Sequence, residues 1–293
     1  MTTKLEEQLG PDAGHYLIGE KLLEQGHTGF QSYEVFDTPR FGKLFRLDGF
    51  LMLYERDEYL YHENLVHIAG LAHPGPQTAL VIGGGDGGTA EELLKYPGMR
   101  KVITVELDGK VIDIARQHFA SVHRGAFDDP RHELKVQDGL EFVRKDAPAA
   151  GLTFDLICLD LTDPVGPSVE LYTEKYFSEC KAILAPGGAL SLHLGPAYYQ
   201  AERVQELYSR LTRVFGHVTP YSVYIPFYGS QWSFAVASDA VQPASLSEAE
   251  VDKRAAERLK DLQFITGATY RAVLAQSPVL QKLLSAPKRS AAA

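Results

Sequence analysis

Cysteine, methionine and tryptophan are scarce in this chain: two, three and one among 293 residues. Cys158 and Cys180 are too few for a disulfide framework, and no Cys/His spacing suggests zinc. A reduced, cytoplasmic setting is therefore expected. No apolar run approaches the roughly 18 residues that a membrane span needs. The opening stretch MTTKLEEQLGPDAG lacks the basic and apolar regions of a secretory signal. Basic residues are outnumbered, 29 Lys and Arg against 38 Asp and Glu, and form no stripe. Nucleic acid is therefore not an expected partner. A net charge of -9 keeps a protein soluble. It attracts cationic ligands only where acids stand at specific places.

What is present is an ordinary globular composition, 45% hydrophobic and 23% charged. Residues 1–66 hold β-formers broken by Thr-Pro, Phe-Gly-Lys and Leu-Asp-Gly, which predicts a small domain of short antiparallel strands. From residue 67 to 293 the pattern changes to strand, helix, strand. Apolar runs ALVIG (79–83), KVITVEL (101–107), ELKVQD (133–138), FDLICLDL (154–161) and GALSLHL (188–194) alternate with helical segments. One segment, GKVIDIARQHF, puts Val111, Ile114, Ala115 and His118 on one face. Another, TEKYFSECKAIL, is expected to end at Pro186-Gly187-Gly188. This alternation predicts an α/β, Rossmann-like doubly wound sheet. After the helix ERVQELYSRLTRVF, the β runs YSVYIPF and QWSFAVAS are close enough to pair at its edge. Seven strands ending in such a hairpin match the methyltransferase-type arrangement of sulfonium-nucleoside transferases. The tail carries a helix, EAEVDKRAAERLKDL, with Val251, Ala255, Leu259 and Leu262 as a buried stripe. SAPKRSAAA at the end is expected to fray.

The loop Gly83-Gly84-Gly85-Asp86-Gly87-Gly88 follows a strand and opens a helix, and it satisfies G-x-G-x-x-G. In that context it marks a nucleotide-type site at the carboxyl end of the first parallel strand. Thr89 and Glu92 resemble a capping box. Glu106, twenty residues after Asp86, can accept hydrogen bonds from both ribose hydroxyls. Asp86 is the discordant residue. Pyrophosphate would sit on the loop's N–H groups, and a carboxylate opposes it at short range. It suits instead a sulfonium nucleoside that carries an ammonium and no phosphate. Asp138, followed by Gly139, ends the third strand beside the expected purine. Asp160 and Asp163 in LDLTDPVGP stand at the ligand crevice, where they could hold a metal or bind and deprotonate an amine. Cys158, within an apolar strand, reads as core.

LDGFLMLYERDEYLYHE, GGGDGG, VELD, DDPRHELKVQDG and DLTDPVGP occur in an order that resembles the polyamine aminopropyltransferases, the family of spermidine synthase. The resemblance runs from Gln31 to about Ser238. It implies transfer of the aminopropyl group of decarboxylated S-adenosylmethionine, a co-substrate, to an amine, with methylthioadenosine released. No cofactor and no metal is implied, because the sulfonium already activates the leaving group. By the same resemblance Asp86 holds the donor ammonium, Glu106 the ribose, and Asp138 with Gly139 the adenine. Gln31 and His62 orient the donor chain. Asp160 is the catalytic acid residue that takes the amine's proton, Tyr61 places that amine, and Asp163 anchors the acceptor. Tyr228 matches an acceptor-side tyrosine. A homodimer or homotetramer is also implied.

Three departures bear on the acceptor. Met52 stands where the family has glutamine, LHLGPAYYQ replaces a Gln- or Asn-containing turn, and IPFYGSQWSFAVAS is one residue short. The last two, with Trp232, are closer to thermospermine-synthase-like members. Putrescine, giving spermidine, is the expected acceptor, and spermidine is the alternative. A methyltransferase using intact S-adenosylmethionine is the third possibility weighed.

Overall fold

The computed structural model describes residues 2–163 and 166–285. The chain opens with a hairpin, β1 (Thr3–Gly10) and β2 (Ala13–Gly19). A four-stranded antiparallel sheet follows, built from β3 (Lys21–His27), β4 (Ser32–Thr38), β5 (Gly42–Leu47) and β6 (Phe50–Tyr54). The Leu-Asp-Gly signal is a two-residue turn, with Asp48 at φ 48° and Gly49 at φ 84°. Two successive left-handed residues match the twist of a tight hairpin, which Asp-Gly adopts readily. Helix α1 (Tyr59–Ala72) then carries the chain to the second sheet, and residue 66 lies within it.

That sheet has seven strands: β7 (Thr78–Gly83), β8 (Lys101–Glu106), β9 (His132–Val136), β10 (Phe154–Asp160), β11 (Leu184–Gly195), β12 (His217–Ile225) and β13 (Ser230–Ser238). Their order is β12-β13-β11-β10-β7-β8-β9, with β13 antiparallel to both neighbours. Adjacent pairs from β11 to β9 are parallel. Both faces are covered, so the strand interiors are apolar without alternation. Leu80, Ile82, Ile157 and Leu159 belong to one core, and Ala79, Val81, Leu156 and Cys158 to the other. Each large side chain buried this way stabilises the fold by about 1.5–3 kcal/mol.

Helix α2 (Gly88–Leu94) follows β7, and α3 (Gly109–His118) follows β8. Val111 and Ile114 of α3 pack on Tyr33, Val35, Phe45 and Leu47, so the predicted stripe joins the two sheets. Ala115 packs with Ile112 and Phe127, while His118 reaches Glu24 instead.

Several boundaries differ from expectation. The helix Glu174–Ala182 stops before Pro186, and Pro186-Gly187-Gly188 lies inside β11. There the register against β10 slips between Phe154 and Leu156, and Gly187 takes φ 86°. Pro-Gly-Gly thus shapes a bulge, the other structure that tolerates a missing N–H and a left-handed residue. The tail helix covers Glu248–Arg258 only; Leu259 is buried but extended. Helices Gly267–Leu274 and Pro278–Ser285 complete the described chain. The tail is pinned to α1, because Glu63 accepts hydrogen bonds from the backbone N–H groups of Gln263, Phe264 and Ile265. The frayed end expected at SAPKRSAAA falls, beyond Ser285, outside the described residues. Among the described residues no helix is long and apolar enough to cross a membrane.

Candidate active site

Register brings the predicted acids together. Asp160 pairs with Gly83 across β10 and β7, and Ile82 with Val105 across β7 and β8. The loops after β7, β8, β9 and β10 therefore leave one edge of the sheet, the place where open α/β sheets bind ligands. The N-terminal sheet closes over that edge. Between them lies a cavity of about 410 Å³, lined by all ten residues singled out from the sequence: Gln31, Tyr61, His62, Asp86, Glu106, Asp138, Gly139, Asp160, Asp163 and Tyr228.

The glycine loop is tight for internal reasons as well as for a ligand. Gly84 sits at φ 67°, and a Cβ there would lie 2.8 Å from Val81 and 2.9 Å from the Asp160 carboxylate. A Cβ at Gly88 would come within 2.4 Å of the His62 ring. Glycine in this loop lets two functional side chains pack against the backbone. The capping box is absent. The residue before α2 is Gly87, with no side-chain cap, and Thr89 instead donates its hydroxyl proton to Asp160 Oδ2 at 2.7 Å. Glu92 turns inward to His67 and Lys95. At this helix start the side chains found stronger partners elsewhere, as buried polar groups must.

Asp86 is both turn residue and charge partner. Its Oδ1 accepts from Gly88 N–H at 2.8 Å and lies 3.6 Å from His62 Nε2. The other ring nitrogen, Nδ1, is 2.7 Å from Glu58, one helical turn back on α1. Burial opposes a charged imidazole, but Asp86 and Glu58 outweigh it and hold His62 well above its ordinary range. Burial likewise works against the Asp86 carboxylate, and His62 overcomes it, keeping Asp86 below the usual aspartate value. Oxygen and nitrogen atoms of His62, Asp86 and Asp160 lie within 4.8 Å of one another, close enough to share a metal ion.

Glu106 accepts from Asp108 N–H at 2.9 Å and Gly85 N–H at 3.2 Å. Burial pushes it up to about 7 despite those bonds. Gln31, just before β4, donates to Asp108 at 3.1 Å, which ties the N-terminal sheet to the loop after β8. Asp138 caps the short helix that follows it, accepting from Leu140 N–H at 2.8 Å. Gly139 is buried, and a Cβ there would meet Ile82 at 2.6 Å. Asp160, at the end of β10, also lines the cavity. Burial, reinforced by Asp86, raises it to about 6, against the opposing effects of His62, Thr89 and Tyr61. Burial, then Asp160, raises the Tyr61 hydroxyl well above its normal range, so it stays protonated and able to donate.

Tyr228 sits in the turn between β12 and β13, where it donates to Met52 O at 3.2 Å and meets Tyr61 edge-on at 6.2 Å. Trp232 packs 4.5 Å from Tyr228 and stacks on His193 at 5.9 Å while lining the cavity. It serves strand packing and the cavity wall together. Asp163 is also at the wall, yet both its oxygens are held by Arg203 at 2.8 Å. Cys158 is buried, and burial raises its thiol, as a core residue requires.

Sequence inspection missed Glu58, Thr89, Arg203, Glu7 and Asp57. Glu58 stands four residues before His62 on one helix, a spacing that signals pairing. Glu7 and Asp57 line the cavity and are pushed up to about 7 by burial. No local pattern marks Glu7, because β1 reaches the cavity only through the folding of the N-terminal hairpin.

A seven-stranded sheet with a nucleoside-sized, acid-lined cleft at its carboxyl edge defines a Rossmann-like transferase. Residues 58–247 match the spermine/spermidine synthase domain. The chain is 46% identical over 282 residues to a polyamine aminopropyltransferase of Nitrosomonas europaea, covering 96% of this chain and 86% of that one. It is 38% identical over 260 residues to polyamine aminopropyltransferase 1 of Hyperthermus butylicus, covering 88% of each. A spermidine synthase solved with the transition state analogue AdoDATO superposes with a TM-score of 0.88 at 31% identity, over 96% of this chain and 94% of that one. The spermidine synthase of Thermotoga maritima gives 0.86, also at 31% identity and with the same coverage. The chain belongs to the spermine/spermidine synthase family, whose members are polyamine aminopropyltransferases.

Proposed function

We propose that this enzyme moves the aminopropyl group of decarboxylated S-adenosylmethionine to a di- or polyamine, putrescine first, and releases methylthioadenosine. The observation that carries this is the gathering of Asp86, Asp160 and the His62 ring within 4.8 Å of one another, with Glu106 in the same cavity. Asp86 receives the donor's terminal ammonium, Glu106 the ribose hydroxyls, and Asp138 with Gly139 the adenine. Gln31 fixes the ribose-side loop, and His62 keeps Asp86 ionised. Intact S-adenosylmethionine would bring a carboxylate toward Asp86, an unfavourable pairing at short range. That electrostatic cost argues against methyl transfer.

The amine nitrogen attacks the propyl carbon bonded to sulfur. A C–N bond forms, the C–S bond breaks, and its electron pair leaves on sulfur as a neutral thioether. An alkylammonium has a pKa of roughly 10, like lysine, and is unreactive until a proton is lost. Asp160, ionised above about pH 6, takes that proton. Tyr61 and Tyr228 orient the amine, and Asp163 lies at the acceptor end with Arg203. The sulfonium supplies its own leaving-group activation, so no metal or cofactor is assigned.

The test is incubation with decarboxylated S-adenosylmethionine and putrescine, cadaverine or spermidine separately, with methylthioadenosine and the amine product identified. Product with spermidine alone would move the assignment to a thermospermine- or spermine-type synthase. No methylthioadenosine with any amine would refute it.

A further inference from the structure

Resting on the aminopropyl-transfer function just proposed, we infer that Arg203 determines which amine is accepted, by withdrawing the Asp163 carboxylate from the acceptor cleft. Arg203 lies on the helix Ala201–Val214, and its Nη1 and Nη2 each donate to one oxygen of Asp163 at 2.8 Å. This planar fork engages both carboxylate oxygens at once, which a single ammonium does not do. Arg203 does not itself line the cavity, so it grips Asp163 from behind the wall.

The rest of the local structure is arranged around that grip. Gln200 accepts a further hydrogen bond from Nη1. Gly195, at φ 96°, faces the guanidinium, and a Cβ there would lie 3.6 Å from it. A longer side chain at position 195 would have to share the space that Arg203 fills. Burial alone would raise the Asp163 carboxyl, but the Arg203 contact holds it low, so the pair is a neutral unit.

The neighbouring wall adds no charge. His193 Nε2 lies 2.9 Å from Leu161 O and 2.8 Å from the Tyr172 hydroxyl, whose own proton goes to Thr162 O. Both partners can only accept, which places the proton of a neutral ring on Nε2. Burial keeps that ring neutral, down to about 4. Asp57 and Glu7 line the same cavity, and among the described residues no cationic side chain grips either of them. An amine attacking beside Asp160 is therefore left to place its second cation toward Glu7 and Asp57.

Arg203→Met tests this in steady-state assays with decarboxylated S-adenosylmethionine and either putrescine or spermidine. Freeing Asp163 adds one charge-assisted contact, so the acceptor KM should fall by about tenfold to a hundredfold. The donor KM should stay within about twofold. The kcat/KM ratio between the two amines should also shift, because their second nitrogens reach different depths. Adding Asp163→Asn should abolish the gain. Arg203→Lys, which keeps a cation but loses the fork, should fall between wild type and Arg203→Met, and it carries the test if the methionine variant melts at assay temperature. An unchanged or raised acceptor KM, or an equal loss with both amines, would overturn the proposal: Asp163 would already hold the amine, or Arg203 would be purely structural. Failure of the functional assignment itself would look different, as wild type releasing no methylthioadenosine with any amine.

Discussion

Replacing Asp160 by asparagine removes one proton site with almost no change in volume. The amide oxygen can still accept the Thr89 hydroxyl, which lies 2.7 Å from the carboxylate, so the loop after β7 keeps its shape. A positioned general base is worth about a hundredfold to ten-thousandfold, or about 2.7–5.5 kcal/mol in the barrier. Turnover should fall by that factor, with donor affinity changed only a few-fold. The pH profile gives a second readout. Asp160 must be ionised to take the amine's proton, so wild-type kcat/KM should decline as pH drops below about 6, and the variant should lose that acid limb. Stability should move the opposite way. The folded Asp160 holds its proton to higher pH than an unfolded aspartate, so the fold loses stability as pH rises from the ordinary aspartate range to about 6, where the loss is complete. The neutral amide of Asp160→Asn avoids this cost, so the variant should melt higher at neutral pH. That advantage should vanish as pH falls below the ordinary aspartate range, where both forms are neutral. Methylthioadenosine release across roughly pH 5 to 9 and thermal melts in the same buffers measure both effects. Turnover within tenfold of wild type, or an acid limb that survives the substitution, would show that Asp160 is not the base.

Asp86→Asn should weaken decarboxylated S-adenosylmethionine by about tenfold to a hundredfold through loss of the ammonium contact, measured by calorimetry; unchanged affinity would refute the role given to this loop. Gly88→Ala sets a Cβ within 2.4 Å of a His62 ring fixed between two carboxylates, so about 1–3 kcal/mol of stability should be lost in thermal melts. A melt equal to wild type would show that the ring can step aside. Donor binding should release protons near pH 6 to 7, because Glu106 at about 7 and Asp160 at about 6 ionise further when a cation arrives. Calorimetric enthalpies that do not depend on buffer would contradict that.

The order of elements was legible because each strand's apolar interior and each turn's chemistry are local properties. Asp48-Gly49 marks its tight turn by its own backbone preference, and the spacing of Val111 and Ile114 marks the face that packs on the N-terminal sheet. Helix ends were less legible. Leu259 is buried and apolar, as the stripe required, yet its backbone is extended, since a place in the core does not demand a helix. Pro186-Gly187-Gly188 illustrates the same ambiguity: one sequence suits a helix stop or a strand bulge, and the sheet register decides.

The ten site residues converge on one cavity because strand ends, fixed by register, carry most of them. Their partners were hidden, and the partners decide what each acid does. Asp86 is held ionised by His62, and His62 is held charged by Asp86 and then by Glu58 on its other nitrogen, which together outweigh burial. Asp160 has His62, a hydroxyl from Thr89 and a tyrosine nearby, yet burial and Asp86 outweigh them and push its affinity for a proton upward. Asp163, three residues on, is neutralised by a guanidinium from a helix forty residues away in the chain. Three aspartates of identical intrinsic chemistry thus diverge into a carboxylate held ionised, one pushed toward its proton, and half of a salt bridge. A sequence shows that acids are present at a strand end; only the charges packed around them set how tightly each holds its proton.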